Sequence, residues 1–365
     1  MKSGSFVVSA PSLFALLMVV ILGTALITTP QAITAIVGRP SWLVPPLAML
    51  VGFAVLGVLY ALNRRCPGKN LIQIAELAWG RWLGKAAGLA FVAFTIYLAG
   101  SVAFEKQNFE ITAILPTTPA WLVALLAAAV ETYLAWLGIA AIAVICILGV
   151  LLYVFTFFSV HIVGINHLPY HQLLPLLGFR PPKVLLEGAA VLGGWYGEVV
   201  FVTFLTAGLK NVSLSARYAL AALGFVTFAL MIDLATVTAL LDQATGGYTY
   251  PLYSLSRYAS VGSFARIDPF VQSLWMSLSV LKVAALVYFA SVGLAQTLGL
   301  RNYRAVLPPV MVAARVLGLV FYRDAPTIGA HFTTAWPTIS GLFELVLPLA
   351  LLATVLARGV RAEPA

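Results

Sequence analysis

Gly193-Gly194-Trp195-Tyr196-Gly197-Glu198 stands in the middle of a stretch, 184–207, that is otherwise long and apolar enough to cross a bilayer. Three glycines in five residues weaken a helix there, since each costs about 1 kcal/mol relative to Ala in a helix interior. Hydrocarbon tolerates the freed N–H and C=O groups only where they face protein or a watery cavity. A second interruption lies in 12–37, where Gly23-Thr24 is followed one turn later by Thr28-Thr29-Pro30, and Pro deletes a backbone hydrogen bond. Any single glycine also reads as a close-packing position. The pair falls at corresponding places in two halves of the chain, the pattern of an inverted repeat with a site near the midplane.

The composition agrees. Of 365 residues, 62% are apolar and 9% charged, against about 25% charged in soluble domains, and the mean hydropathy is +1.01. These values exclude a soluble enzyme and a disordered chain. The net charge of +9 comes from scattered single and paired basic residues, so no stripe tracks a phosphate backbone and nucleic acid is excluded as a partner. A bilayer core needs roughly 20 apolar residues in a helix. Ten windows qualify: 12–37, 42–62, 86–104, 120–137 and 139–160, then 184–207, 216–241, 270–298, 303–321 and 336–357. The fold class is thus an all-α membrane protein, one domain over 1–365, with repeat one at about 12–160 and repeat two at about 184–357. The first window is too long for a secretory signal and is read as a span. Gly138 marks the turn between the fourth and fifth spans.

Twelve Lys and Arg flank the spans on the N-terminal side against seven on the other, which predicts cytoplasmic N- and C-termini. Residues 71–84 place Leu71, Ile74, Ala75, Ala78 and Trp82 opposite Gln73, Glu76 and Lys85, the pattern of an interfacial amphipathic helix. The alternative is the start of the third span. Two outer connections, 161–182 and 242–269, are long enough to serve as lids, and the second carries the turn signals Gly246-Gly247 and Tyr250-Pro251.

Half-helix N-termini at the two breaks would present unpaired N–H groups and partial positive charge. A carboxylate suits them, while unwound carbonyls or a carboxylate take an ammonium, so a small zwitterion is the natural ligand. Gly23, Thr24, Gly194, Tyr196, Gly197 and Glu198 are the candidate ligand-binding residues, with Tyr97 in the third span facing the site or simply packed. Charges within spans are functional suspects by default, and six qualify: Glu131, Glu198, Asp233, Lys282, Arg315 and Glu344. Glu198, directly after the second break, holds a ligand ammonium, carries a proton or ties down the unwound segment. Lys282 pairs with Glu198, replaces a coupling cation or makes a structural ion pair. Arg315, Glu131, Asp233 and Glu344 are read as structural. His161, His167 and His171 are too loosely spaced for a metal site, the Gly-rich stretches lack the Lys-Ser/Thr ending of a phosphate loop, and Cys66 and Cys146 give no disulfide framework. No enzyme, cofactor or metal is expected.

An ordered set of segments resembles the spore germination permeases, the B subunits of germinant receptors, within the amino acid–polyamine–organocation superfamily. It runs from Ser9-Ala10-Pro11-Ser12-Leu13-Phe14 through Leu22-Gly23-Thr24, Pro30 and Trp42. It continues with Asn70-Leu71-Ile72, Trp82-Leu83-Gly84-Lys85, Glu105, Phe109-Glu110 and Leu115-Pro116-Thr117-Thr118-Pro119. Leu174-Pro175, Gly197-Glu198, Tyr250-Pro251, Arg257, Gly262-Ser263-Phe264, Arg266 and Asp268 complete it. The chain departs from the family at Ser12, commonly Gln, and at Ile139–Val144, where relatives carry Glu and Arg. The resemblance implies a five-plus-five inverted repeat of the leucine-transporter type with broken helices 1 and 6 and ligand between helices 1, 3, 6 and 8. It also implies an amino-acid or similar small-molecule germinant, A and C partner subunits, and the spore inner membrane. A proton-coupled amino-acid transporter using Glu198 or Lys282, and a structural subunit with a vestigial site, are the rival readings.

Overall fold

The computed structural model describes residues 8–165, 173, 181–209, 212–241, 245, 247–258 and 268–362. Lys210, His167, His171, Leu174-Pro175, Gly246, Gly262-Ser263-Phe264 and Arg266 lie outside the described residues. Ten helices are long and apolar enough to span a membrane among the described residues. They begin with α1 (Ala10–Val37), α2 (Val44–Arg65), α3 (Leu71–Phe109), α4 (Ala120–Leu137) and α5 (Ile139–Ile165). The sixth span combines α6 (Lys183–Gly197) with a 3₁₀ helix (Glu198–Gly208), and α7 (Val212–Leu241) is the seventh. After the short α8 (Pro251–Tyr258), α9 (Asp268–Leu298) is the eighth, and a 3₁₀ turn (Tyr303–Val306) continued by α10 (Leu307–Phe321) makes the ninth. A connecting α11 (Ala325–Thr334) leads to the tenth, built from α12 (Trp336–Ser340), a π-helical segment (Gly341–Val346) and α13 (Leu347–Ala357).

Local chemistry sets the ends. Ser9 caps α1 by accepting from the Ser12 amide at 3.2 Å, and Asn70 and Gln73 form a reciprocal capping box at the start of α3. Gly38 ends α1 at φ +76°, and Gly138 separates α4 from α5 at φ +95°, backbone that L side chains rarely adopt. The amphipathic segment expected over 71–84 is shorter. Gly80, at φ +81°, folds α3 sharply, so the interfacial piece ends at Trp79 and Trp82 already belongs to the spanning rod. Gly84 makes the fold possible, because a Cβ there would strike the Glu76 backbone. α11 was not expected from the sequence. Asp324 caps it, its Oδ1 accepting from the Thr327 amide at 2.9 Å.

Burial decides which helices are central. In α1, 83% of the apolar window is buried, and in the sixth span 94%, against 17% in α4. α1 packs against α5, α6, α7 and α9 at once, so it forms the axis, while α4 turns most of its surface to lipid. The two interruptions take a different form from the one expected. α1 is helical through Gly23-Thr24 and Pro30, and the sixth span changes pitch at Glu198 from α to 3₁₀ rather than opening.

Candidate functional site

The site is built where α1, the sixth span and α9 cross. Gly23 brings α9 against α1: a Cβ there would lie 3.1 Å from both the Leu278 carbonyl and the Lys282 Cβ. Ser279 Oγ donates to the Gly23 carbonyl at 2.6 Å. Lys282, fully buried, donates to Thr24 Oγ1 and to Glu198 Oε1, both at 2.8 Å. Its ammonium also lies 2.8 Å from Glu198 Oε2. Trp195 Nε1 donates to the same Thr24 hydroxyl at 3.2 Å. Of these cross-helix partners only Ser279 meets a backbone group, the Gly23 carbonyl. Lys282 and Trp195 instead meet the Thr24 hydroxyl and the Glu198 carboxylate, which ties α9 and the sixth span to a helical α1.

The glycines of the sixth span do two things. Gly194 lies where a Cβ would overlap Trp336 Nε1 and Ser340 Oγ, and Gly197 where it would overlap Glu344 Oε2. Both therefore let the tenth span approach, the close-packing reading of those residues. Gly197 thereby admits a second buried carboxylate, since Glu344 is 1% exposed and its Oε1 has no hydrogen-bond partner among the described residues. Trp195 closes the cluster against Phe332 and Trp336, with ring centroids 5.0 and 5.7 Å away.

Two expected residues point elsewhere. Tyr196 donates to or accepts from Thr227 Oγ1 at 2.9 Å, so it faces α7. Tyr97 contacts His331 Nε2 and lies 3.2 Å from the Tyr322 hydroxyl, which ties α3 to α11 rather than to the Lys282 pair. Of the charges read as structural, Glu131 pairs with Arg315 and lies 3.6 Å from Lys106, itself 3.2 Å from Glu110. Asp233 meets His161 Nε2 at 3.1 Å.

Sequence reasoning missed Glu105, which is 1% exposed. It lines a cavity of about 160 Å³ together with Thr28, Gln31, Asn108 and Tyr250. Thr28 is one turn along α1 from Thr24, so the cavity sits above the Lys282 cluster on the side away from the N-terminus. α11 roofs it through Pro326, Ile328 and Gly329. Asn108 Nδ2 donates to the Tyr250 hydroxyl at 2.8 Å across its wall. The signal available in sequence was Glu105 and Tyr250-Pro251 within the family resemblance.

No group of three or more His, Cys, Asp or Glu suited to a metal occurs among the described residues. A comparison with curated protein sequences gives no match. Among solved structures, MhsT in complex with L-phenylalanine aligns with a TM-score of 0.62 at 14% identity, covering 97% of this chain and 90% of that one. That likeness establishes the fold, the five-plus-five arrangement of the leucine-transporter type. The family model of spore germination proteins matches residues 7–325, nearly the whole span-bearing chain, and the protein therefore belongs to the spore germination permease family of integral membrane proteins.

Proposed function

We propose that this protein is the membrane subunit of a spore germinant receptor and that its germinant is a small zwitterion, an amino acid by its chemistry. The observation that carries this reading is the Glu198–Lys282 pair, closed over Thr24 with neither side chain exposed. A buried pair is neutral as a whole, and removing either member strands a charge at a cost of several kcal/mol. A zwitterion exchanges into such a pair without stranding one. Its ammonium takes Glu198, its carboxylate takes Lys282 and the Gly23-Thr24 turn, and the sum of charges stays zero. Gly194 and Gly197 keep the backbone close on the opposite side. The cavity beside Glu105 is the antechamber, and Tyr97, through His331, holds its roof. Tyr196 supports the sixth span from behind.

Ligand in the pair separates α9 from the sixth span, and the separation shifts the bundle between two arrangements that A and C subunits read. The shift is limited by the ligand's differential affinity for the two arrangements. The setting is the spore inner membrane, with both termini cytoplasmic. The rival reading, a proton-coupled amino-acid transporter, draws on the same pair, and the transporter fold favours keeping it in view.

Proteoliposomes given labelled amino acids, with and without a pH gradient, separate the two. Saturable binding without accumulation supports the receptor, and accumulation driven by the gradient supports the transporter. Absence of any amino-acid binding overturns both. Within the receptor reading, Glu198→Gln abolishes the germination response while the protein still inserts.

A further inference from the structure

A second site lies on the other side of the molecule from the antechamber. Between α2, the 3₁₀ half of the sixth span and α7 runs a crevice of about 380 Å³. Leu13 lines it and Val8 bridges to Leu209 beside it, so it opens on the side of the N-terminus. Its α2 wall extends from Phe53 to Asn63. Ten residues of α-helix rise about 15 Å, which is the depth of one leaflet in a hydrocarbon core of about 30 Å.

The lining is graded along that depth. Phe53, Leu56, Val202 and Leu220 make the deep part apolar, and the polar groups Asn63, Lys69 and Thr206 gather at the shallow end. No Asp or Glu lines the crevice. Lys69 is the one charged residue of the lining, and the exposed Arg64 and Arg217 follow the lining residues Asn63 and Ala216 directly in sequence. Phe53, Tyr60 and Leu220 are 37%, 46% and 46% exposed on its rim, so it opens sideways to lipid rather than into the bundle. Gly57 contributes to the hollow, since a Cβ there would meet nothing within 4 Å.

We propose that this crevice holds one anionic phospholipid from the leaflet on the N-terminal side, an acyl chain along α2 and the phosphate at Lys69. An apolar slot of one-leaflet depth matches a single acyl chain, and a basic mouth without acids matches an anionic headgroup and disfavours a zwitterionic one. Val202, Thr203 and Thr206 belong to the 3₁₀ segment that begins at Glu198. The bound chain therefore braces the half-span that carries the buried pair. This site stands independently of the germinant reading, because none of its lining residues touches Glu198 or Lys282 by a hydrogen bond or ion pair.

The test is native mass spectrometry of the full chain released from micelles doped with equal phosphatidylglycerol and phosphatidylcholine. The wild type retains one phosphatidylglycerol in preference to phosphatidylcholine by about fivefold, the value of one basic side chain against an anionic surface. Lys69→Glu removes the preference. Gly57→Leu, whose Cβ meets nothing within 4 Å, reduces retention of both lipids while the protein remains monodisperse. Equal retention of both lipids by the wild type overturns the proposal, as does unchanged retention by Gly57→Leu. A Lys69→Glu protein that fails to fold leaves the Gly57→Leu arm to decide.

Discussion

The Lys282 ammonium sits 2.8 Å from both oxygens of the Glu198 carboxylate, and neither residue has any exposed surface. That equidistance makes the pair a two-point clasp between α9 and the start of the 3₁₀ segment, with Thr24 as the third point on α1. Each single replacement strands the other member in a low-dielectric interior. Glu198→Gln and Lys282→Met each lower stability in nanodiscs by about 3–5 kcal/mol. The double variant recovers most of that loss, read by thermal unfolding, yet stays unresponsive to germinant. A double variant as unstable as the worse single one rules out the clasp.

Gly197 and Glu344 share one space. Gly197→Ala forces the tenth span outward, and overpacking of this kind costs about 1–3 kcal/mol. Adding Glu344→Ala restores the room, so the two changes are non-additive in a double-mutant cycle on melting temperature. Additive losses would place the strain elsewhere.

Lys106, Glu110, Glu131 and Arg315 form a four-charge cluster in which each cation meets an acid. Glu131→Gln leaves one positive charge in excess and destabilises the α3–α4–α10 packing by about 3–5 kcal/mol. Ligand binding by the surviving folded fraction is unchanged, measured by scintillation proximity at low temperature. A selective loss of affinity would move the cluster from scaffold to site.

Docking of α11 depends on pH through His331. Burial holds its imidazole below the ordinary histidine value, and the groups facing it are Tyr97 and Tyr322. With the folded value depressed, the neutral form is favoured in the docked state. Docking is therefore complete above about pH 6.5 and weakens as pH falls toward the depressed value. Asp324 acts in the same direction further down, because the Thr327 hydroxyl and amide hold its carboxyl below the usual range. Protection factors across α11, taken relative to the intrinsic exchange rate at each pH, fall between pH 7.5 and 5.5, and His331→Gln flattens the change. Protection factors independent of pH in the wild type refute the His331 role.

The ten spans were legible because each is a long apolar run, and four of them end within a residue of the positions read from sequence at both termini: 120–137, 184–207, 303–321 and 336–357. What failed to show was rotation. The runs containing Tyr97 and Tyr196 are apolar all round, so periodicity carries no information on which face meets α9, α7 or α11. Glu105, Lys106 and Glu110 fall beyond the apolar window that closes at Phe104. Only packing against α4, α10 and the Tyr250 segment makes them interior. The glycines at 193, 194 and 197 read from sequence as a break or as close packing, because glycine marks a close approach without naming its neighbour, and here the neighbours are Val51, Trp336 and Glu344.

A 3₁₀ helix eleven residues long is far beyond the usual three or four. At about 2.0 Å per residue it reaches roughly 22 Å, whereas the same residues wound as α reach roughly 16 Å. The half-span from Glu198 to Gly208 thus holds about 6 Å of retractable length, close to one α turn. Its far end is fastened: the Val8 amide donates to the Gly208 carbonyl at 3.2 Å. Rewinding this segment would work as a piston, drawing Val8 toward the membrane by about one turn whenever the clasp at Glu198 lets go.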